Sequence, residues 1–307
     1  MRVVFLGTPD FAVPTLEMLA GTEELAAVVS QPDRARDRKG NLLPTPAKAA
    51  AQRLGIPVFQ FSSLKREGVQ TLRALKPDLM VTAAFGQILS QEILDIPPLG
   101  VFNVHASLLP AYRGAAPIQW AVIRGETETG ITVMKTEAGL DCGDILWVKK
   151  TPIGPEETAG ELFDRLSVLG AQALREALEA LKAGKLSPVP QDEALATHFP
   201  MLKKEDGRLD FSRPAADLVN LVRGVNPWPS AFTFWAGNLL KVHAARALPG
   251  KGRPGEVLAA DPNSGLVVAC GEGALRLTEV QPANGRKMSD LAFLAGHRPL
   301  VGSLLPS

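Results

Sequence analysis

The feature that most limits how this chain can fold is the alternation, over its first 150 residues, of short apolar or β-branched runs with segments of helical periodicity. Strands separated by amphipathic helices need crossover connections, and these give a parallel sheet with helices on its faces. Residues 2–6 read as a buried strand, 7–10 as the turn after it, and 11–20 as a helix. Further strands are expected at 25–30, 79–83 and 101–105, with a helix at 64–76 between the first two of these. Pro117, whose fixed φ suits a first helical turn, opens a helix that runs to about residue 124. Segments 130–135 and 144–149 flank a glycine-containing turn at 138–143 and are expected to pair as a hairpin at the sheet edge. The expected fold class is α/β, with a Rossmann-like open, mainly parallel sheet.

Past residue 150 the periodicity changes twice. Leu162, Phe163, Leu166, Leu169, Ala173, Leu174, Leu178 and Leu181 mark one long amphipathic helix over 158–183, closed by Gly184. Residues 186–208 then mix three prolines with charges and little periodicity, as a linker would. A helix at 215–225 precedes five short strands at 231–235, 239–244, 255–259, 266–269 and 274–279, spaced like a small OB-type β-barrel. The expected organisation is therefore residues 1–189 as an α/β domain, 190–205 as a linker and 206–307 as an OB-like domain.

Composition narrows the partners. With 33 Lys/Arg against 32 Asp/Glu, the molecule has no large field to draw it onto nucleic acid or membrane, so any polyanion site is local. Residues 206–307 are mildly basic, with 11 Lys/Arg against 8 Asp/Glu. A second cluster, Arg34, Arg36, Arg38 and Lys39 against Asp33 and Asp37, lies in the loop after the second expected strand. No run approaches 18 apolar residues and the N-terminal segment does not read as a signal peptide, so a cytoplasmic location is expected, with no membrane partner. Cys142 and Cys270 are too few for a disulfide framework and lack zinc spacing, and no metal is expected.

The opening turn, Gly7-Thr-Pro-Asp10, lacks the second and third glycines that seat a pyrophosphate on a helix N-terminus, which argues against a dinucleotide. The densest chemistry is Asn103-Val-His-Ala-Ser-Leu-Leu-Pro-Ala-Tyr-Arg-Gly114. Asn103 and His105 stand two apart on a strand, so both leave the same face, at the carboxyl end where open α/β sheets place their ligand crevice. An amide there can donate to an oxyanion while an imidazole moves a proton. A strand-capping Asn beside a hydrogen-bonded core His fits the spacing too. Ser107, Leu108, Leu109 and Pro110 offer apolar wall and free backbone groups to a flat heterocycle, or form an ordinary connection. Asp141, between Gly139 and Gly143, either orients His105 or bonds its own turn. A thiol nucleophile built from Cys142 and His105 is the weaker alternative, because no basic setting for a thiolate is evident.

Taken together, five segments resemble the methionyl-tRNA formyltransferase family of folate-dependent formyltransferases over nearly the whole chain. They are Phe5-Leu-Gly-Thr-Pro-Asp-Phe-Ala12, Gln31-Pro-Asp-Arg34, Asn103 to Gln119, Gly139-Leu-Asp-Cys-Gly-Asp144 and Asn226-Pro-Trp-Pro229. The resemblance implies transfer of a formyl group from 10-formyltetrahydrofolate, as co-substrate, to the α-amino group of methionyl initiator tRNA. It implies Asn103, His105 and Asp141 as the catalytic trio and Ser107, Leu108, Leu109 and Pro110 as the formyl-folate loop. Arg34, Arg36, Arg38 and Lys39 are then expected at the acceptor stem, with Arg223 a further tRNA contact. A monomer with no DNA partner is expected. The nearest alternative is a formyltransferase acting on an amino sugar nucleotide or another small amine, which would need neither the basic loop nor the C-terminal domain.

Overall fold

The computed structural model describes residues 1–34 and 40–306. In chain order its elements begin with β1 (Arg2–Gly7), α1 (Val13–Thr22), β2 (Glu24–Ser30), α2 (Pro46–Arg53), β3 (Val58–Gln60), α3 (Leu64–Glu67), α4 (Val69–Leu75), β4 (Leu79–Ala83) and α5 (Gln91–Leu94). There follow β5 (Val101–His105), the short β6 (Arg113–Gly114), α6 (Pro117–Ile123), β7 (Glu128–Lys135), β8 (Ile145–Pro152), α7 (Ala159–Lys182) and the short β9 (His198–Phe199). The remainder carries α8 (Ala215–Gly224), β10 (Ala231–Trp235), β11 (Asn238–Leu248), β12 (Val257–Asp261), β13 (Gly265–Ala269), β14 (Ala274–Pro282), β15 (Met288–Ser289) and α9 (Asp290–Gly296).

These elements form two compact units. The first consists of Met1–Gly114, Glu128–Pro152 and Phe163–Phe199, the second of Ala115–Thr127, Ile153–Leu162 and Pro200–Ser307. The chain therefore leaves the first unit and returns to it, and α6 packs in the second. There Ile123 of α6 lies so close to Gly224 of α8 that a side chain at Gly224 would collide with it. Residues 190–199, from the stretch read as a linker, pack in the first unit.

The first unit is built on a seven-stranded sheet in the order β3-β2-β1-β4-β5-β7-β8. β1 to β5 run parallel, whereas β7 and β8 are antiparallel to their neighbours. The strands that read as continuous apolar runs are central: Val3, Val4, Phe5 and Leu6 of β1 and Leu79, Met80 and Val81 of β4 have no solvent exposure. That pattern suits strands covered on both faces. The edge strand β8 instead alternates half-buried and exposed residues. Strand order reverses at β1, so the crevice expected of such sheets lies at the carboxyl ends of β1, β4 and β5. The single helix expected at 64–76 is two helices. Gly68 closes α3 with its N–H on Leu64 O and opens α4 with its carbonyl, which accepts from Leu72 N.

In the second unit β10, β11, β14, β13 and β12 form an antiparallel sheet in that order, with β15 on β14. β11 changes register twice against β14, at Val242/Ala244 and Ala244/Arg246, which bends the sheet as an OB-type barrel requires. Phe211, Leu218, Val222, Val257, Leu277 and Phe293 fill the space inside it.

Candidate active site

Three strands set the site. Asn103 and His105 occupy alternate positions near the end of β5, and β4 pairs beside it with Thr82 opposite Asn103. Thr82 is buried, and its hydroxyl donates to Asn103 Oδ1 at 2.8 Å. The amide oxygen is thereby fixed toward β4, and the amide nitrogen meets no acceptor among the described residues. An NH₂ group held this way is an unspent donor at the carboxyl edge of the sheet.

His105, only 6% exposed, is met by an acceptor on each ring nitrogen. Its Nε2 lies 3.0 Å from the carbonyl of Tyr112. A carbonyl only accepts, so Nε2 carries a hydrogen. Nδ1 faces Asp141 Oδ2 at 3.7 Å. The Tyr112 carbonyl, not Asp141, therefore fixes the ring from one side, and Asp141 stands at the nitrogen where a proton can be exchanged. Tyr112 reaches this place through a left-handed backbone, φ +61°, braced by Tyr112 N on Thr197 Oγ1 at 2.9 Å and by stacking of its ring on Phe199 at 4.8 Å.

Asp141 is half-buried and also left-handed, φ +49°, a conformation that Asp tolerates better than most residues. Its Oδ2 accepts from Gly114 N at 2.9 Å, which ties the turn to the loop carrying Tyr112. At Gly143 a side chain would collide with the carbonyl of Lys135, so the turn that presents Asp141 needs glycine there.

The turn is also held from the stretch that reads as a linker. Gln191 Nε2 donates to Asp141 O at 2.9 Å and Gly143 O at 2.7 Å. Its Oε1 accepts from Arg113 Nε at 3.0 Å and Nη2 at 2.8 Å. Arg113, 2% exposed, forms a two-pronged pair with Glu193 at 2.7 and 2.9 Å. Hydrogen bonding to Glu193 pushes the Arg113 guanidinium up, and the same bonds hold Glu193 below the usual carboxylate range. Neither Gln191 nor Thr82 stands out in the sequence. One sits in a proline-rich stretch and the other reads as an ordinary β-branched strand residue.

The loop after β5 is secured from within. Thr132 Oγ1, on β7, donates to Ser107 O at 2.7 Å and accepts from Leu109 N at 3.1 Å, while Ser107 Oγ donates to Ala111 O at 2.7 Å. Several of the backbone groups expected free at these positions, Ser107 O, Leu108 O, Leu109 N and Pro110 O, are thus already bonded. Half-buried Leu108 and Pro110 remain as apolar wall, with Ser107 and Leu109 buried beneath.

The expected tRNA contacts divide. Arg34 is exposed, whereas Arg36, Arg38 and Lys39 lie outside the described residues. The Nη groups of Arg223 are engaged inside the second unit, Nη1 donating to Gly154 O at 3.0 Å and Glu157 O at 3.1 Å and Nη2 to Asn220 Oδ1 at 2.7 Å, while its buried Nε meets no acceptor among the described residues. Burial pushes this guanidinium down from its ordinary value. Arg223, expected at the tRNA, thus directs both Nη groups to oxygens of its own unit. Cys142 is half-buried beside Gly139, and burial pushes the Cys270 thiol up to about 11. Among the described residues no group of three His, Cys, Asp or Glu side chains is placed to hold a metal, and no helix is long and apolar enough to cross a membrane.

Residues 1–178 match the formyl transferase family, and residues 201–298 match the formyl transferase C-terminal domain. A methionyl-tRNA formyltransferase of Geotalea uraniireducens is 49% identical over 307 residues, covering 99% of this chain and 98% of that one. Among solved structures, an N-formyltransferase from Helicobacter canadensis, in complex with folinic acid and dTDP-3-aminofucose, superposes with a TM-score of 0.67 at 16% identity over 94% of this chain and 100% of that one. A methionyl-tRNA formyltransferase from Clostridium thermocellum superposes with a TM-score of 0.55 at 16% identity over 82% and 95%. At such identities the two structures share the fold alone. Full-length similarity to the Geotalea protein reaches further, and the chain belongs to the methionyl-tRNA formyltransferase family.

Proposed function

We propose that the chain transfers the formyl group of 10-formyltetrahydrofolate to the α-amino group of methionyl initiator tRNA. The observation that carries the chemistry is the pairing, at one sheet edge, of an unspent amide donor with an imidazole whose Nδ1 faces a carboxylate. Attack of an amine on a formyl carbon places negative charge on the formyl oxygen and positive charge on the incoming nitrogen; collapse then breaks the bond from the formyl carbon to N10 of the folate, which leaves as tetrahydrofolate with the proton that the incoming nitrogen loses. Asn103 Nδ2 is the donor for that oxygen. His105 exchanges the proton at Nδ1, with Nε2 held by the Tyr112 carbonyl, and Asp141 supports the imidazolium charge. Leu108 and Pro110 supply apolar wall for the pterin.

The acceptor follows from full-length kinship rather than from the trio, which would serve a small amine equally well. A relative named methionyl-tRNA formyltransferase matches this chain over its full length, C-terminal unit included, at 49% identity. Arg34, Arg36, Arg38 and Lys39 make up a basic stretch of sequence suited to the acceptor end of the tRNA. Soluble, cytoplasmic and monomeric behaviour suits that role. Transfer from labelled 10-formyltetrahydrofolate, with methionyl initiator tRNA, methionyl elongator tRNA and amino sugar nucleotides offered in parallel, tests the assignment. Rapid formylation of the initiator species is expected. Preferential formylation of an amino sugar would replace the acceptor and leave the trio standing.

A further inference from the structure

We propose that Gln191 is a positioning residue for the transfer step, holding the Asp141 turn at the correct distance from His105. The inference rests on the formyltransferase reading of His105 and Asp141 and adds a residue to it. Gln191 lies between the two loops that supply the acceptors of His105. On one side its Nε2 donates to two carbonyls of the turn, those of Asp141 and Gly143. On the other its Oε1 accepts two N–H groups of Arg113, next in the chain to Tyr112. The amide cannot be reversed, since the reverse would set an oxygen against two carbonyls and an NH₂ against a guanidinium. Val189, two residues earlier, is bridged to Ile145 in both directions, at 2.8 and 2.9 Å, which fixes the backbone from which Gln191 projects.

Residues 191–199 thus hold both of the loops that face the imidazole. Gln191 secures the Asp141 side, while Thr197 and Phe199 secure Tyr112 on the other. A left-handed aspartate at the tip of a turn has several alternative conformations near in energy. Two hydrogen bonds to the main chain of the turn, at Asp141 O and Gly143 O, select the one that puts Oδ2 at Nδ1.

Two substitutions separate positioning from general stability. Gln191→Ala removes both sets of bonds. Gln191→Glu keeps an acceptor for Arg113 but withdraws the donor and places carboxylate oxygen against the Asp141 and Gly143 carbonyls. Both variants are expected to lower kcat roughly tenfold or more, the scale on which a small misplacement acts. KM for 10-formyltetrahydrofolate and for methionyl-tRNA should stay within about twofold, and Gln191→Glu should melt near the wild-type temperature. In an Asp141→Ala background Gln191→Ala should change the single-turnover rate by less than about twofold, because the group it positions is gone. Wild-type kcat in Gln191→Glu overturns the proposal, as does a loss of the same factor in the Asp141→Ala background. His105→Ala run alongside at wild-type rate would overturn the trio and the positioning residue together.

Discussion

At the carboxyl edge of the first unit, short polar side chains bond the main chain of neighbouring loops. Thr8 Oγ1 donates to Phe85 O, Gln31 Nε2 to Gly86 O, Thr132 Oγ1 to Ser107 O and Gln191 Nε2 to the Asp141 turn. The second unit holds its strands chiefly through Leu, Val and Phe side chains packed inside a bent sheet. Apolar burial is strong and without direction, whereas a hydrogen bond is weak in net energy and fixes an angle. The first unit therefore spends polar groups where atoms must be placed, and the second spends apolar area where strands must stay together. Substitutions in the two regions should separate accordingly, the first kind changing rate and the second changing stability.

The largest separation is expected at the trio. His105→Ala should lower single-turnover formyl transfer by roughly 10²–10⁴-fold, and Asn103→Ala by roughly 10²–10³-fold. Each removes little apolar packing, so thermal melting should shift little. A fall in melting temperature as large as that of a core truncation would erase the contrast between the units. The counterpart in the second unit is Phe293→Ala. Phe293 is fully buried between Trp235 and His297, and its loss should cost about 3–5 kcal/mol in urea unfolding of that unit. The donor site on the first unit should still bind folate normally. Weakened folate binding would mean that the first unit's loops depend on the second unit's core.

The same contrast explains what can be read in the sequence. Central strands announce themselves as apolar runs, so 79–83 and 101–105 are legible to the residue, and the long helix α7 is legible to within one residue at each end. Asn103 and His105 are legible because two residues on one strand share a face. The short β3 and α2 leave no clear period in eight residues or fewer. Gln191 is hidden for another reason. Its role lies in where two carbonyls and a guanidinium sit in space, and proline-rich surroundings give no hint of that. Arg223 shows a related limit: a basic residue in a mildly basic domain reads as an RNA contact, and only the structure places its Nη groups on Gly154 O, Glu157 O and Asn220 Oδ1.

The two kinds of arginine sharpen the comparison further. Replacing Arg36, Arg38 and Lys39 together should lower the slope of log binding constant against log salt by about 0.7–0.9 for each phosphate that is no longer neutralised, with folate binding spared. Arg223→Met should leave that slope unchanged, because its guanidinium serves carbonyls of its own unit. Its cost should appear as a loss of stability of about 1–3 kcal/mol from carbonyls left unpaired. Fluorescence titration with tRNA at several salt concentrations, with urea unfolding in parallel, separates the two. An equal change of slope in both variants would place Arg223 on the RNA after all.

The smallest expected effect is the most selective. Thr82→Val keeps the shape of a buried β-branched residue and removes only the hydroxyl that fixes the Asn103 amide oxygen. A single hydrogen bond contributes about 0.5–1.5 kcal/mol net, so kcat should fall roughly 2–10-fold. KM for folate should hold, because Thr82 orients the oxyanion donor and touches no substrate. Thr82→Ser restores the hydroxyl at the cost of one methyl and should recover most of the rate while melting at a lower temperature than Thr82→Val. Rate and stability would then move in opposite directions at one position, an outcome that packing alone cannot produce. In an Asn103→Ala background the Thr82→Val effect should vanish. If it persists undiminished, Asn103 is not oriented through Thr82, and the amide donor owes its direction to the strand alone.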